Sequence, residues 1–142
     1  MPEPLRPPAP RPCVSCPYRK DVPSGVWDQT EYARLRVYDL DVAEQAMAGE
    51  TGAFGCHQND GRLCAGWVAC HGTDTLGIRL LASYLSPHQF ELIRNYETDV
   101  EIFATGAEAC EHGLRDVAAP GPEAIQMIDT LIRKQRRQRE SK

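Results

Sequence analysis

The sequence predicts a mainly α-helical small single domain, with one short strand or hairpin, organised around a cysteine-ligated metal site. Three observations carry this. A chain of 142 residues with 42% hydrophobic content suits one modest core rather than two. Its second half repeats helix-start signals followed by apolar residues at helical spacing. Its six cysteines, at 13, 16, 56, 64, 70 and 110, include a C-x2-C pair and a second cluster whose spacings suit ligation.

The elements follow in chain order. Residues 1–12, MPEPLRPPAPRP, hold six of the eleven prolines and read as an extended, mobile leader. Residues 13–132 form the metal-centred helical domain and residues 133–142 a basic C-terminal tail. After CVSCPYRK, the stretch DVPSGVWDQTEYARLRVYDL joins a Pro-Ser-Gly turn to a helix capped by Asp28, with Tyr32, Leu35 and Tyr38 on one face. DVAEQAMAGETG fits no single element. AFGCH reads as a short strand, QNDG as a tight turn, and a helix is expected from near Arg62. Leu76, Leu80, Leu81, Tyr84 and Leu85 predict a helix over 74–85 behind a Thr or Asp cap. Ser86 followed by Pro87 predicts another over 87–97. A short helix is expected from Glu108 to His112. A last one, over 122–135, starts at Gly-Pro and carries Ile125, Ile128, Leu131 and Ile132 on one stripe. Its apolar half should dock and its basic half project.

Two thiolates three residues apart around a turn can reach one ion, and FGCHQNDGRLCAGWVACH supplies the remaining ligands. On a continuous helix over 62–71, Cys64 and Cys70 stand about 9 Å apart along the axis and point roughly 120° apart. A tetrahedral ion with bonds of about 2.3 Å cannot hold both unless the helix unwinds at Gly66. The expected ligands are therefore Cys13, Cys16, Cys56 and Cys64, with His57, Cys70 and His71 as supporting or alternative groups. Arg19 and Lys20 are expected to offset thiolate charge or donate to sulfur. Tyr18, Trp27, Phe54 and Trp67 are expected first as packing around the site, and the Trp67 indole N–H needs a partner. Cys110, His112 and His88 are assigned to no site. The cofactor is zinc or a [4Fe–4S] cluster in even balance: unequal spacing and a Cys-Pro step lean to the cluster, the C-x2-C hook and nearby histidines to zinc.

Other chemistries find no support. The C-x2-C follows a polyproline stretch rather than a strand, unlike a thioredoxin-type redox pair. Haem attachment, a phosphate-binding glycine loop, a G-x-S-x-G elbow and an H-E-x-x-H helix are all missing. With no apolar h-region or membrane-length apolar run, the expectation is a cytoplasmic protein, where thiols stay reduced and favour metal ligation over disulfides. The net charge of −4 divides unevenly: residues 133–142 hold six basic side chains and one acid, or +5, leaving −9 on the rest. Arg133, Lys134, Arg136, Arg137 and Arg139 are thus the candidate contacts for nucleic acid or an acidic protein, set against a solvated, frayed helix end. No membrane and no small-molecule substrate is indicated.

The run CVSCPYRKDVPSGVW with EYARLRVYD and CHQNDGRLCAGWVACH resembles an uncharacterised family of small cysteine-rich proteins of actinobacteria and their phages, over roughly residues 12–85. The resemblance implies a cytosolic protein. It also implies that shorter relatives keep the equivalents of Cys13, Cys16, Cys56 with His57, and Cys64. CAGW, the C-x5-C of Cys64 and Cys70, and RKQRRQR are more distantly similar to parts of the WhiB-like iron–sulfur regulators, whose cysteine order differs. The leading expectation is a noncatalytic, metal-binding regulatory or binding module. The alternatives are an iron–sulfur redox-sensing regulator whose tail touches DNA or a transcription partner, and an Fe–S or thiol-redox enzyme using Cys70.

Overall fold

The computed structural model describes residues 6–56, 58 and 61–141. About half of them lie in seven α-helices: α1 Gln29–Arg34, α2 Val42–Met47, α3 Ala65–His71, α4 Leu76–Leu81, α5 Pro87–Arg94, α6 Gly106–Leu114 and α7 Pro122–Glu140. Among the described residues there is no sheet, only isolated bridges pairing Arg6 with Arg62, Arg19 with Ile102, and Gly55 with Leu63. None of these helices is long and apolar enough to cross a membrane.

Local capping explains most helix starts. Asp28 accepts from the Thr30 N–H at the head of α1, and Thr75 from Ile78 at the head of α4. At α5, Ser86 and Gln89 form a reciprocal capping box with Pro87 in the first turn. Asp41 and Glu44 do the same for α2, so the stretch that fits no element from periodicity is a short helix made by its cap. Asp39, in a 3-10 turn over Val37–Asp39, accepts from the Gly106 and Ala107 amides at 2.6 and 2.8 Å. It thereby adds a carboxylate from a distant segment to the start of α6.

Tyr32, Leu35 and Tyr38 are all buried, and α1 packs on α6. Gly113 allows that approach: a Cβ there would lie 2.1 Å from the Tyr32 ring. Gln45 is fully buried, donating to the Leu40 carbonyl and accepting from the Leu76 amide, which ties α2 to α4. The main core gathers Tyr18, Tyr32, Leu35, Tyr38, Phe54, Leu63, Trp67, Ile78 and Ile93. A second small cluster, Val22, Val26, Ala124 and Leu131, seats α7, and Trp27 packs against both.

Four expectations are corrected. Residues 6–12 are not a free leader: the Leu63 amide donates to the Arg6 carbonyl, and Tyr96 donates to the carbonyls of Ala9 and Pro10. Prolines without N–H groups still offer carbonyls, and these are what the body binds. The helix expected from Arg62 starts at Ala65, because residues 62–64 instead pair with 54–56 through Cys56 N–H to Arg62 O and Cys64 N–H to Phe54 O, both 2.9 Å. The helix expected over 74–85 is α4 followed by a 3-10 turn at Ala82–Tyr84. Lastly, the helix expected over 122–135 runs unbroken to Glu140, so the basic stretch continues α7.

Candidate metal centre

The hook is a backbone turn. Cys16 N–H donates to Cys13 O and Arg19 N–H to Cys16 O, each at 3.0 Å, which curls Cys13 and Cys16 onto one side. Beyond it the chain pairs with residues 101–103 through Lys20 N–H to Glu101 O and Phe103 N–H to Tyr18 O. The opposite side is the pairing of residues 54–56 with 62–64, ending in Cys64 as the residue before α3. Gly66, in the first turn of α3, lets the two sides meet. A Cβ there would lie 2.3 Å from Cys16 Sγ and 2.8 Å from Tyr18 Cβ.

The four thiols from these elements form a chain of neighbours. Cys13 has Cys16 and Cys56 as thiol partners. Cys16 has Cys13 and Cys64, with its Sγ 3.7 Å from Cys64 Sγ. All four are free cysteines. The contacts are pairwise: among the described residues, no three His, Cys, Asp or Glu side chains are gathered as a metal-holding group. His57 lies outside the described residues. The Cys13 thiol is pushed up, chiefly by sharing a hydrogen bond with Cys16 and then by burial, against a lowering contact from Cys56. Cys13 pulls the Cys16 thiol down, but Cys64 and burial outweigh it, and the net direction is well up. The Tyr18 amide also faces the Cys16 sulfur and favours its thiolate.

Surrounding groups brace this cluster. The Trp27 indole donates to Ser15 O at 2.7 Å, and Gln58 donates to Ser15 Oγ at 2.6 Å. Gln58 in turn accepts from Lys134 Nζ at 2.9 Å, joining α7 to the hook. Tyr18, Phe54 and Trp67 belong to the main core as expected, with Phe54 stacked on Trp67. The buried Trp67 Nε1 has no hydrogen-bond partner among the described residues. Arg19 does not donate to sulfur. Its guanidinium is engaged by both Asp21 carboxylate oxygens at 2.8 and 2.7 Å and by Pro12 O at 2.9 Å. Lys20 lines an open groove of about 380 Å³ with Arg11, Arg19, Asp21, Asp99 and Glu101.

Cys70 and His71, at the far end of α3, join a different network. His71 Nε2 lies 3.0 Å from Tyr18 Oη, and its Nδ1 lies 3.9 Å from Asp39 Oδ1. Burial pulls its pKa down to about 4, so the imidazole is neutral at pH 7 despite Asp39 and Asp74. Burial, then Asp39 and Glu108, pushes the Cys70 thiol up to about 12. A thiol so held is a poor nucleophile, which weighs against redox chemistry at Cys70. Cys110 is buried, and His112 Nε2 bonds to Val22 O at 2.6 Å. Sequence reasoning missed Asp39, Gln58 and the Tyr18–His71 contact, none of which has a local pattern. Gly66 carried a usable signal: a glycine in the first turn of a helix, two residues after a cysteine.

A family model described as a family of unknown function (DUF6283) matches residues 8–136, a span wider than the segment carrying the resemblance noted above. No curated protein and no solved structure matches the chain.

Proposed function

The chain belongs to this family of unknown function, and we propose that it is a noncatalytic module built around one zinc ion held by Cys13, Cys16, Cys56 and Cys64. The observation that carries this reading is the meeting of thiols nearly fifty residues apart, with Cys16 and Cys64 sulfurs at 3.7 Å. Two thiolates on one tetrahedral ion with bonds of about 2.3 Å stand ~3.8 Å apart by simple geometry. In a cubane cluster each thiolate binds its own iron, which sets the sulfurs farther apart. The spacing therefore favours zinc over the cluster with which it was evenly balanced in sequence. The donor set fits as well: four soft thiolates, with Gly66 leaving room for Cys16. Zinc bound there is structural, closing the loop between the hook and the paired segments 54–56 and 62–64 and stabilising the fold without an open coordination position.

Metal analysis of untagged, anaerobically purified protein tests this. The expected result is a colourless protein with one zinc per chain, whose chelation lowers the melting temperature and releases the hook. A brown protein with iron and acid-labile sulfide would replace zinc by the cluster. A metal-free protein whose melting is unmoved by added zinc would refute the metal centre altogether.

A further inference from the structure

The end of α7 projects from the domain. Leu131 is its last buried residue, and of residues 132–141 only Lys134 is not exposed. From Leu131 to Glu140 the helix advances about 13 Å. Five basic side chains lie on this stretch, but the structure separates them. Lys134 is turned back to Gln58 and Arg133 is paired with Asp129 at 2.8 Å. Arg136, Arg137 and Arg139 are exposed and have no acidic partner among the described residues. At 100° per residue, Arg136 and Arg137 lie about 130° to either side of the docked stripe of Ala124 and Leu131 and Arg139 about 70° from it, so the three side chains fan around the projecting helix end. Favourable interaction with the helix dipole accounts for charges in the last turn only, and Arg136 precedes it.

We propose that Arg136, Arg137 and Arg139 form a contact for the phosphate backbone of duplex nucleic acid. The alternative occupant, an acidic protein, is disfavoured by composition: after Ile132 the chain has no apolar side chain, and a protein interface needs an apolar centre. A phosphate backbone is matched by charge alone, and guanidinium groups suit it bidentately. The other 132 residues carry −9, so they repel the duplex and leave only the projecting end to touch it. This inference does not rest on the identity of the metal.

The test is binding of the full chain to a fluorescent mixed-sequence DNA duplex as salt is varied. Three phosphate contacts predict a log–log slope of about −2.7, or roughly a 40-fold loss of affinity between about 50 and 200 mM salt. The triple variant Arg136→Gln, Arg137→Gln, Arg139→Gln should abolish most of the binding and its salt dependence while leaving helical circular dichroism unchanged. Lys134→Gln should leave the slope unaltered. The proposal fails if the wild type does not bind at low salt or if the triple variant binds as the wild type does. It fails equally if Lys134→Gln flattens the slope as an arginine should, or if polyglutamate competes as well as DNA, which would make an acidic protein the partner.

Discussion

Replacing Gly66 by alanine is the sharpest perturbation of the cysteine cluster that leaves every cysteine in place. The new Cβ would stand 2.3 Å from Cys16 Sγ and 2.8 Å from Tyr18 Cβ. Ordinary carbon contacts lie at ~3.5–4.0 Å, so the sulfur or the helix must give way by at least about 1.2 Å. Neither yields readily, since Cys16 sits in a hydrogen-bonded turn and Tyr18 is fully buried. Overpacking of this kind costs roughly 1–3 kcal/mol. Alanine recovers up to ~1 kcal/mol by its better helix propensity, less in a first turn. A net loss of about 1–2 kcal/mol lowers the melting temperature by roughly 3–8 °C in a chain of this size. The proposed metal site should suffer more, because distances within a site must hold to about 0.2 Å. We expect zinc affinity to fall about 10- to 100-fold, as when groups that orient ligands are removed. Zinc titration against a competing chelator, with melting curves of metal-free and zinc-loaded protein, measures both terms. Gly52→Ala, where a Cβ meets nothing within 4 Å, is the control and should behave as wild type. Wild-type zinc affinity and melting in Gly66→Ala would refute the packing of α3 against the hook and the coupling drawn from it.

Two further outcomes follow from the network beside the cluster. Burial pulls the His71 pKa from its ordinary 6.5 down to about 4 in the folded protein. The unfolded state therefore binds more protons between those values, so the contribution is fully present above pH 6.5 and is lost as pH falls toward 4. By linkage this amounts to roughly 3 kcal/mol. Urea midpoints across that window should fall less steeply in His71→Gln than in the wild type, and parallel curves would contradict the assignment. Cys70, with its thiol pushed up to about 12, should resist iodoacetamide at pH 8 in the folded protein, as read by peptide mass spectrometry. Rapid labelling there would restore Cys70 as a candidate nucleophile.

What the sequence determined by itself is local. Asp28, Thr75 and Ser86 with Pro87 start the helices they were expected to start, because a cap acts within four residues of itself. Tyr32, Leu35 and Tyr38 are all buried as their spacing implied, although only Tyr32 lies within α1, Leu35 closing it and Tyr38 standing in the 3-10 turn that follows. The cysteine spacing pointed to Cys13, Cys16, Cys56 and Cys64 as one ligand set; the structure gives them pairwise thiol contacts and, among the described residues, gathers no three as a metal-holding group. Tertiary structure decided the contacts whose partners lie far apart in the chain. Asp39 reaches the Gly106 and Ala107 amides at the head of α6, a partnership with no local pattern. The proline-rich segment binds the body through carbonyls that no composition argument weighs. Lys134 and Arg136 look equivalent in sequence, yet only the packed position of Gln58 ties one back and leaves the other exposed. Capping and periodicity arise from neighbours along the chain, whereas the fate of a long polar side chain depends on which surface folding brings within its reach.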